Sequence, residues 1–272
     1  MAISFFKKMS YVLSTLHTLS LFSNLPEQKI IVASIPKSGT FLLANCVAHL
    51  THKSWLVNYN TPSPEHPGHL FQVQPMESFS NLPDNHFFVT HITYNNDYKN
   101  MIERDDYTVL FIYRDPRDQI ISFMYWVYRY PERWPALQDL NREQLIMYLI
   151  KSGKITYGLD IGIKGFYNFY LPWLKHPNFC AVKFEDLVGP QGGGDTELQR
   201  ETIFAIARHL DIPITLKQVE ETALKTFGGP GTFREGKIGA WKTHFTQEHK
   251  EAFKAIAGQM LIDLGYEQDL NW

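Results

Sequence analysis

The sequence is short of cysteine, of net charge and of long apolar runs, and each shortage argues against a class of protein. Cys46 and Cys180 are the only cysteines among 272 residues, and neither stands in a Cys-x-x-Cys pair or beside clustered histidines. That speaks against a disulfide framework and against a structural zinc site, and a reducing, cytoplasmic setting is expected. The 26 Lys and Arg against 28 Asp and Glu leave a formal net charge of −2. No general positive field exists to grip nucleic acid, so any anion has to be bound by a local site. No internal repeat or low-complexity segment is present. Hydrophobic residues make up 44% and charged residues 20%, an ordinary globular balance. The length suits one large α/β domain and not two.

Residues 1–28 are read as an N-terminal amphipathic helical segment and 29–272 as the main domain. Lys7 and Lys8 precede a semi-apolar stretch from Tyr11 to Phe22, interrupted by Ser14, Thr15, His17, Thr18 and Ser20. It is too short and too polar to span a bilayer, and no small-x-small cleavage site follows. Phe5, Met9, Val12, Leu13, Leu16 and Leu19 recur at helical spacing. A helix packed on its own domain is the first expectation, and peripheral membrane contact through residues 5–22 the second.

Along the main domain, Lys29 to Ser34 (KIIVAS) reads as a buried parallel strand, followed by a helix over 41–51. Further strands are expected at 55–58, 86–90, 107–113 and 179–183, with a Pro/His/Gly loop over 61–68. Asp115-Pro116 is an N-cap followed by proline at the first helical position, so a helix should run from there to about Tyr128. Helices are predicted over 141–151, 157–175, 196–210, 214–226 and 247–262, and the five glycines between Gly228 and Gly239 mark a loop. Strands alternating with helices imply an α/β fold, a parallel sheet flanked by helices on both faces. Ligands bind such sheets at the carboxyl ends of the strands. Three of those ends carry polar residues: Pro36 to Thr40, His91 and Arg114.

A strand, a tight glycine-containing turn and a helix start gather free backbone N–H groups around one point, with the helix dipole behind them. In Pro36-Lys37-Ser38-Gly39-Thr40-Phe41 two hydroxyls and a mobile ammonium join them. A phosphate or sulfate needs such a cradle, although a plain turn with a serine cap has the same outline. It is not a Walker A loop, because Lys37 precedes Gly39 by two residues and the upstream glycine is absent. The strand ending at Arg114 also offers arginine where a magnesium-binding carboxylate would be needed.

The Pro36–Thr40 loop resembles the 5′-phosphosulfate loop of sulfotransferases that use 3′-phosphoadenosine 5′-phosphosulfate (PAPS). Arg114-Asp115-Pro116-Arg117-Asp118 with Ser122 resembles that family's 3′-phosphate segment, and Phe184-Glu185-Asp186 its Tyr-Glu-Asp. Phe233-Arg234-Glu235-Gly236-Lys237-Ile238-Gly239-Ala240-Trp241-Lys242 resembles its Arg-Lys-Gly-x-x-Gly-x-Trp-Lys block. The matches keep the family's order from about residue 30 to 245.

The resemblance implies a P-loop nucleotide-kinase-like sulfotransferase architecture and in-line transfer of a sulfuryl group from PAPS to a hydroxyl or amine. Adenosine 3′,5′-bisphosphate (PAP) would be the product, with no metal required. Lys37 would neutralise the leaving oxygen, Ser122 would restrain Lys37, and His91 would be the base, in Val89-Thr90-His91-Ile92-Thr93. Donor contacts fall to Pro36, Lys37, Ser38, Gly39, Thr40, Phe41, Arg114, Ser122, Phe227, Arg234 and Gly236. A surface ion pair with Asp118 is the plainer role for Arg114, and His86 is the neighbouring histidine.

The chain departs from the pattern at Glu235 (lysine), Leu42 (a stacking tryptophan) and Phe184 (tyrosine). The competing expectations are a magnesium-dependent phosphotransferase and a catalytically silent nucleotide-binding protein. A small-molecule or lipid-like acceptor is expected, with no nucleic acid partner, and the sequence sets no oligomeric state. Phe123, Tyr125, Trp126, Tyr128, Tyr130 and Trp134 follow the donor segment; an aromatic or lipophilic acceptor pocket draws on some of them, and core packing is expected for most.

Overall fold

The computed structural model describes residues 28–57, 59–60, 72–73, 79, 82–152, 161–228 and 234–272. The expected N-terminal helix, the 61–68 loop and part of the glycine-rich loop lie outside the described residues.

The strand β1 (Lys29–Ser34) is buried from Ile30 onward, as its unbroken β-branched run requires. It leads into α1 (Thr40–Thr51), then β2 (Ser54–Val57) and a short antiparallel pair, β3 (Tyr59–Asn60) and β4 (Gln72–Val73). β5 (His86–Thr90), α2 (Asn96–Arg104), β6 (Tyr107–Tyr113) and α3 (Pro116–Arg129) follow, then α4 (Arg142–Lys151) and α5 (Gly162–Asn168). The chain continues through β7 (Phe179–Lys183), α6 (Phe184–Leu187), α7 (Thr196–His209), α8 (Leu216–Thr226) and α9 (Gln247–Asp263).

The main sheet has the order β2-β5-β1-β6-β7, and every pair in it is parallel. Side chains alternate between its faces. Ile30 and Val32 pack with Val47, Ile203 and Val219 on the α1/α7/α8 side. Ile31 and Ala33 pack with Phe123, Leu145, Phe166 and Phe253 on the other. Both faces are covered, as expected of a parallel sheet. Ala33 is level with Thr90, and Ser34 with Ile112. The register therefore brings the residues after β1, β5 and β6 to one edge.

The short pair β3–β4 and the one-turn α6 are absent from the sequence expectation, and two longer elements also differ from it. α2 was not anticipated, yet the Asn95 side chain caps it by accepting from Tyr98 N at 2.9 Å. The helix expected over 157–175 is instead α5 and a separate 3-10 turn, Leu171–Lys175. Gly162 has φ +57°, and a Cβ there would meet Ile150 O at 2.6 Å. Pro172 opens the second turn, where its missing N–H costs no helical bond. Residues 153–160 lie outside the described set.

Candidate active site

The turn after β1 is built by two left-handed residues. Ile35 N extends the ladder to Ile112 O at 3.2 Å, and Ser38 N closes back on Ile35 O at 3.1 Å. Lys37 has φ 69° and Gly39 φ 99°. A Cβ on Gly39 would lie 2.5 Å from the Phe184 ring, so both backbone and space require glycine. α1 starts at Thr40 with no side-chain cap, which leaves its first-turn N–H groups available to an anion. Gln119 Nε2 donates to Pro36 O at 2.5 Å and to Ser38 Oγ at 3.3 Å from behind the turn. Pro36 and Ser38 are thus fixed on the buried side, while Lys37, Gly39, Thr40 and Phe41 line the cleft in front.

His91 follows β5 and is buried beside this turn. Its Nδ1 lies 3.1 Å from Ser34 O and 2.9 Å from Ser34 Oγ, which is 2.7 Å from Thr40 Oγ1. A carbonyl can only accept, so Nδ1 carries the proton and Nε2 the lone pair. Burial, with a smaller push from the Lys37 charge, drives the His91 pKa down to about 3, against a contrary pull from the Ser34 carbonyl. Burial and the charges of Arg129, Arg114 and Arg234 lower Lys37 to about 8. Its Nζ rests 5.1 Å from the Trp126 ring centroid. His86, at the opposite end of β5, bonds Asp84 O and takes no part in this cleft.

Arg114 follows β6 and is held at both backbone flanks. Tyr167 OH donates to its carbonyl at 2.7 Å, and the next amide, Asp115 N, donates to Glu185 Oε1 at 3.0 Å. Its guanidinium lies 4.2 Å from the Phe184 ring centroid, and Nη2 donates to Lys237 O. Nε is buried with no hydrogen-bond partner among the described residues. That orphaned donor, the uncapped α1 and the glycine cradle together fit an anion at each end of one cleft. Burial raises the Glu185 carboxyl to about 7, and Tyr266 OH donates to its other oxygen at 2.9 Å.

Asp118 has a different role from the surface ion pair the sequence suggested. Buried, and 3.5 Å from Arg114, it accepts from Gly239 N at 2.7 Å and Trp241 N at 2.9 Å, anchoring the loop that carries Arg234 and Gly236. Ile238 N ties the same loop to Gly192 O at 3.0 Å. Arg234 Nη1 donates to Glu235 Oε1 at 2.6 Å and its guanidinium stacks 4.0 Å from the Tyr125 ring. Arg117 lies behind, bonded to Asp115 and Glu267 and packed in the corner of the mutually perpendicular Trp241 and Trp272 rings, at 4.0 and 4.5 Å from their centroids.

One cleft therefore collects Lys37, Gly39, Thr40, Phe41, His91, Arg114, Ser122, Arg234 and Gly236. Phe227 lies apart, lining a neighbouring cavity with Val188 and Leu224. The cleft also contains Trp126 and Tyr130 from the aromatic stretch, and residues the sequence did not single out as site residues, including Asp118, Arg133 and Lys237. Asp118, Ser122, Trp126 and Tyr130 form an i, i+4 stripe along α3 and its C-cap, a spacing that could have revealed them. Of the aromatic stretch, Phe123, Trp126 and Trp134 belong to the core, Tyr125, Tyr128 and Tyr130 pack against it, and only Trp126 and Tyr130 line the cleft. Among the described residues no cluster of three His, Cys, Asp or Glu side chains is arranged for a metal. No described helix is long and apolar enough to cross a membrane.

A family model described as a sulfotransferase domain matches residues 27–227. Sulfotransferase 6B1 of Homo sapiens is 26% identical over 259 residues, covering 88% of this chain and 80% of that protein. The 6B1 protein of Danio rerio is 23% identical over 284 residues, covering 97% and 89%. Among solved structures, mouse sulfotransferase SULT7A1 complexed with PAP superposes with a TM-score of 0.63 at 16% identity, over 92% of both chains. Retinol dehydratase in complex with androsterone and PAP gives 0.58 at 18% identity, over 88% and 83%. The structural likenesses carry the fold, and the family match carries the class. Neither the phosphotransferase nor the silent nucleotide-binding alternative finds support here.

Proposed function

The chain belongs to the sulfotransferase domain family, which transfers a sulfuryl group from PAPS to an acceptor, and from that premise we propose how its own residues do so. Bound PAPS supplies the sulfuryl group and departs as PAP. Arg114 and Ser122 hold the 3′-phosphate, with Arg234 and the Gly236 N–H approaching from the loop that Asp118 anchors. The first-turn amides of α1 and Thr40 hold the phosphosulfate end, and Phe41 supplies the ring that Leu42 does not. Lys37 neutralises the charge that grows on the leaving oxygen, and Ser122 restrains it before the acceptor arrives.

His91 Nε2 takes the acceptor's proton. Its tautomer is the one a base requires, because Nδ1–H is committed to Ser34 O. The low pKa of the donor-free site keeps the ring neutral at physiological pH, and an anionic donor beside it raises its proton affinity. The acceptor is a small molecule carrying a hydroxyl or amine. Retinol dehydratase structures with androsterone and with retinol support a small molecule. A cytoplasmic location accords with two unpaired cysteines.

The observation that carries this reading is a single cleft with Lys37 and His91 at one end and Arg114 at the other. Calorimetry with PAP and with ATP, both without magnesium, tests it. PAP should bind more tightly, and Arg114→Ala should weaken it by roughly ten- to a hundredfold. Preference for ATP would overturn the reading.

A further inference from the structure

The cleft extends past the groups assigned to the donor. Along α3, Asp118 and Ser122 mark the Arg114 end, and Lys37 Nζ lies over the ring of Trp126. Tyr130 follows one turn later, about 6 Å further along the axis. The next turn, Pro131–Arg133, brings Arg133 to the same cleft. Tyr130 and Arg133 therefore lie beyond Lys37 on the side away from Arg114, where an acceptor has to enter.

That side is cationic. Asp118 and Glu235 are the carboxylates among the described lining residues. Both are committed on the donor side, Asp118 to the Gly239 and Trp241 amides and Glu235 to Arg234. The Arg133 guanidinium lies 4.7 Å from the Tyr130 ring centroid and 3.8 Å from Glu132, whose side chain is 65% exposed. Such a loose, solvated pair neutralises little. Arg129 approaches the same ring at 5.7 Å, and its charge is the largest single electrostatic influence on Lys37. The neighbouring base is a neutral imidazole. An ammonium-bearing acceptor would meet three cations here, whereas an anionic one would complete a half-buried arginine.

We infer that the acceptor is a hydroxyl compound bearing an anionic group, a carboxylate, sulfate or phosphate, which Arg133 holds against Tyr130 while the hydroxyl reaches His91. The inference rests on the donor reading above and fixes the substrate class of the same site. Arg133 is its specificity-determining residue. The acceptor oxygen bonds to sulfur as the bond from sulfur to the PAP oxygen breaks, and the hydroxyl proton passes to His91. The anionic group takes no part in bond making.

The test is calorimetry on PAP-saturated protein with 4-hydroxyphenylacetate, -propionate and -butyrate and their methyl esters, so that no turnover is needed. At one chain length or more the acid should bind roughly tenfold more tightly than its ester. In Arg133→Gln that ratio should fall to about one while PAP affinity stays at the wild-type value. The inference is overturned if no length prefers the acid, including the case in which neither form binds, or if the preference survives Arg133→Gln. Failure to saturate with PAP is seen before any acceptor is added, and it removes the donor reading together with this one.

Discussion

At the Lys37 end of the cleft, burial lowers the pKa of both Lys37 and His91, and the charges named against them belong to other cations. At the Arg114 end, Arg114 and Arg117 are also buried, but beside Asp118, Asp115 and Glu267. Both ends remove ionisable groups from water. The first leaves that cost largely uncompensated, so Lys37 comes to titrate near pH 8 and the His91 ring stays unprotonated. The second offsets it with paired charges and aromatic faces, which hold its arginines in place. Reactivity is concentrated at one end and rigidity at the other.

Removing the reactive groups should give the largest effect. Lys37→Ala and His91→Ala should each lower turnover with PAPS by roughly two to four orders of magnitude on any acceptor found. Unchanged turnover in His91→Ala would abolish the contrast and move the base elsewhere. The rigid end should respond in stability. Arg117→Met leaves the buried Asp115 and the half-buried Glu267 without their cation and should cost about 3–5 kcal/mol in urea unfolding, while turnover of the folded fraction changes only a few-fold. A large loss of turnover at full stability would mean that the two ends share the chemistry.

The smallest effect separates the ends by pH. Lys37 loses its charge above about pH 8, and a neutral amine no longer attracts the nucleotide. PAP affinity should therefore weaken as pH rises past 8, approaching tenfold per unit. Lys37→Arg should flatten that dependence, because guanidinium stays charged throughout. A wild-type affinity that is level to pH 10 would overturn this titration of Lys37.

Most of the frame was legible in the sequence because its signals are local. The run KIIVAS, the Asp115-Pro116 start and the glycine at position 39 each report on the few residues around them. α2 was missed because only Tyr98, Met101 and Ile102 of its nine residues are buried, too thin a stripe to stand out. The break at Gly162 and Pro172 was present in the sequence and outweighed by the apolar residues around it. The long-range ties were not readable. Asp118 reaches Gly239 across 121 positions and Glu185 reaches Asp115 N across 70. No periodicity connects residues so far apart, and the resemblance supplied the motifs without saying which side chains hold them. The cationic side formed by Tyr130 and Arg133 escaped for a related reason, since it exists only once α3 is oriented against Lys37.

The contact between Ser34 and His91 prolongs the backbone ladder in which Ala33 is level with Thr90. Amide exchange at this spot should accordingly be as slow as anywhere in the molecule, since local fraying cannot separate two central strands. Heating should leave the imidazole seated until the whole domain melts.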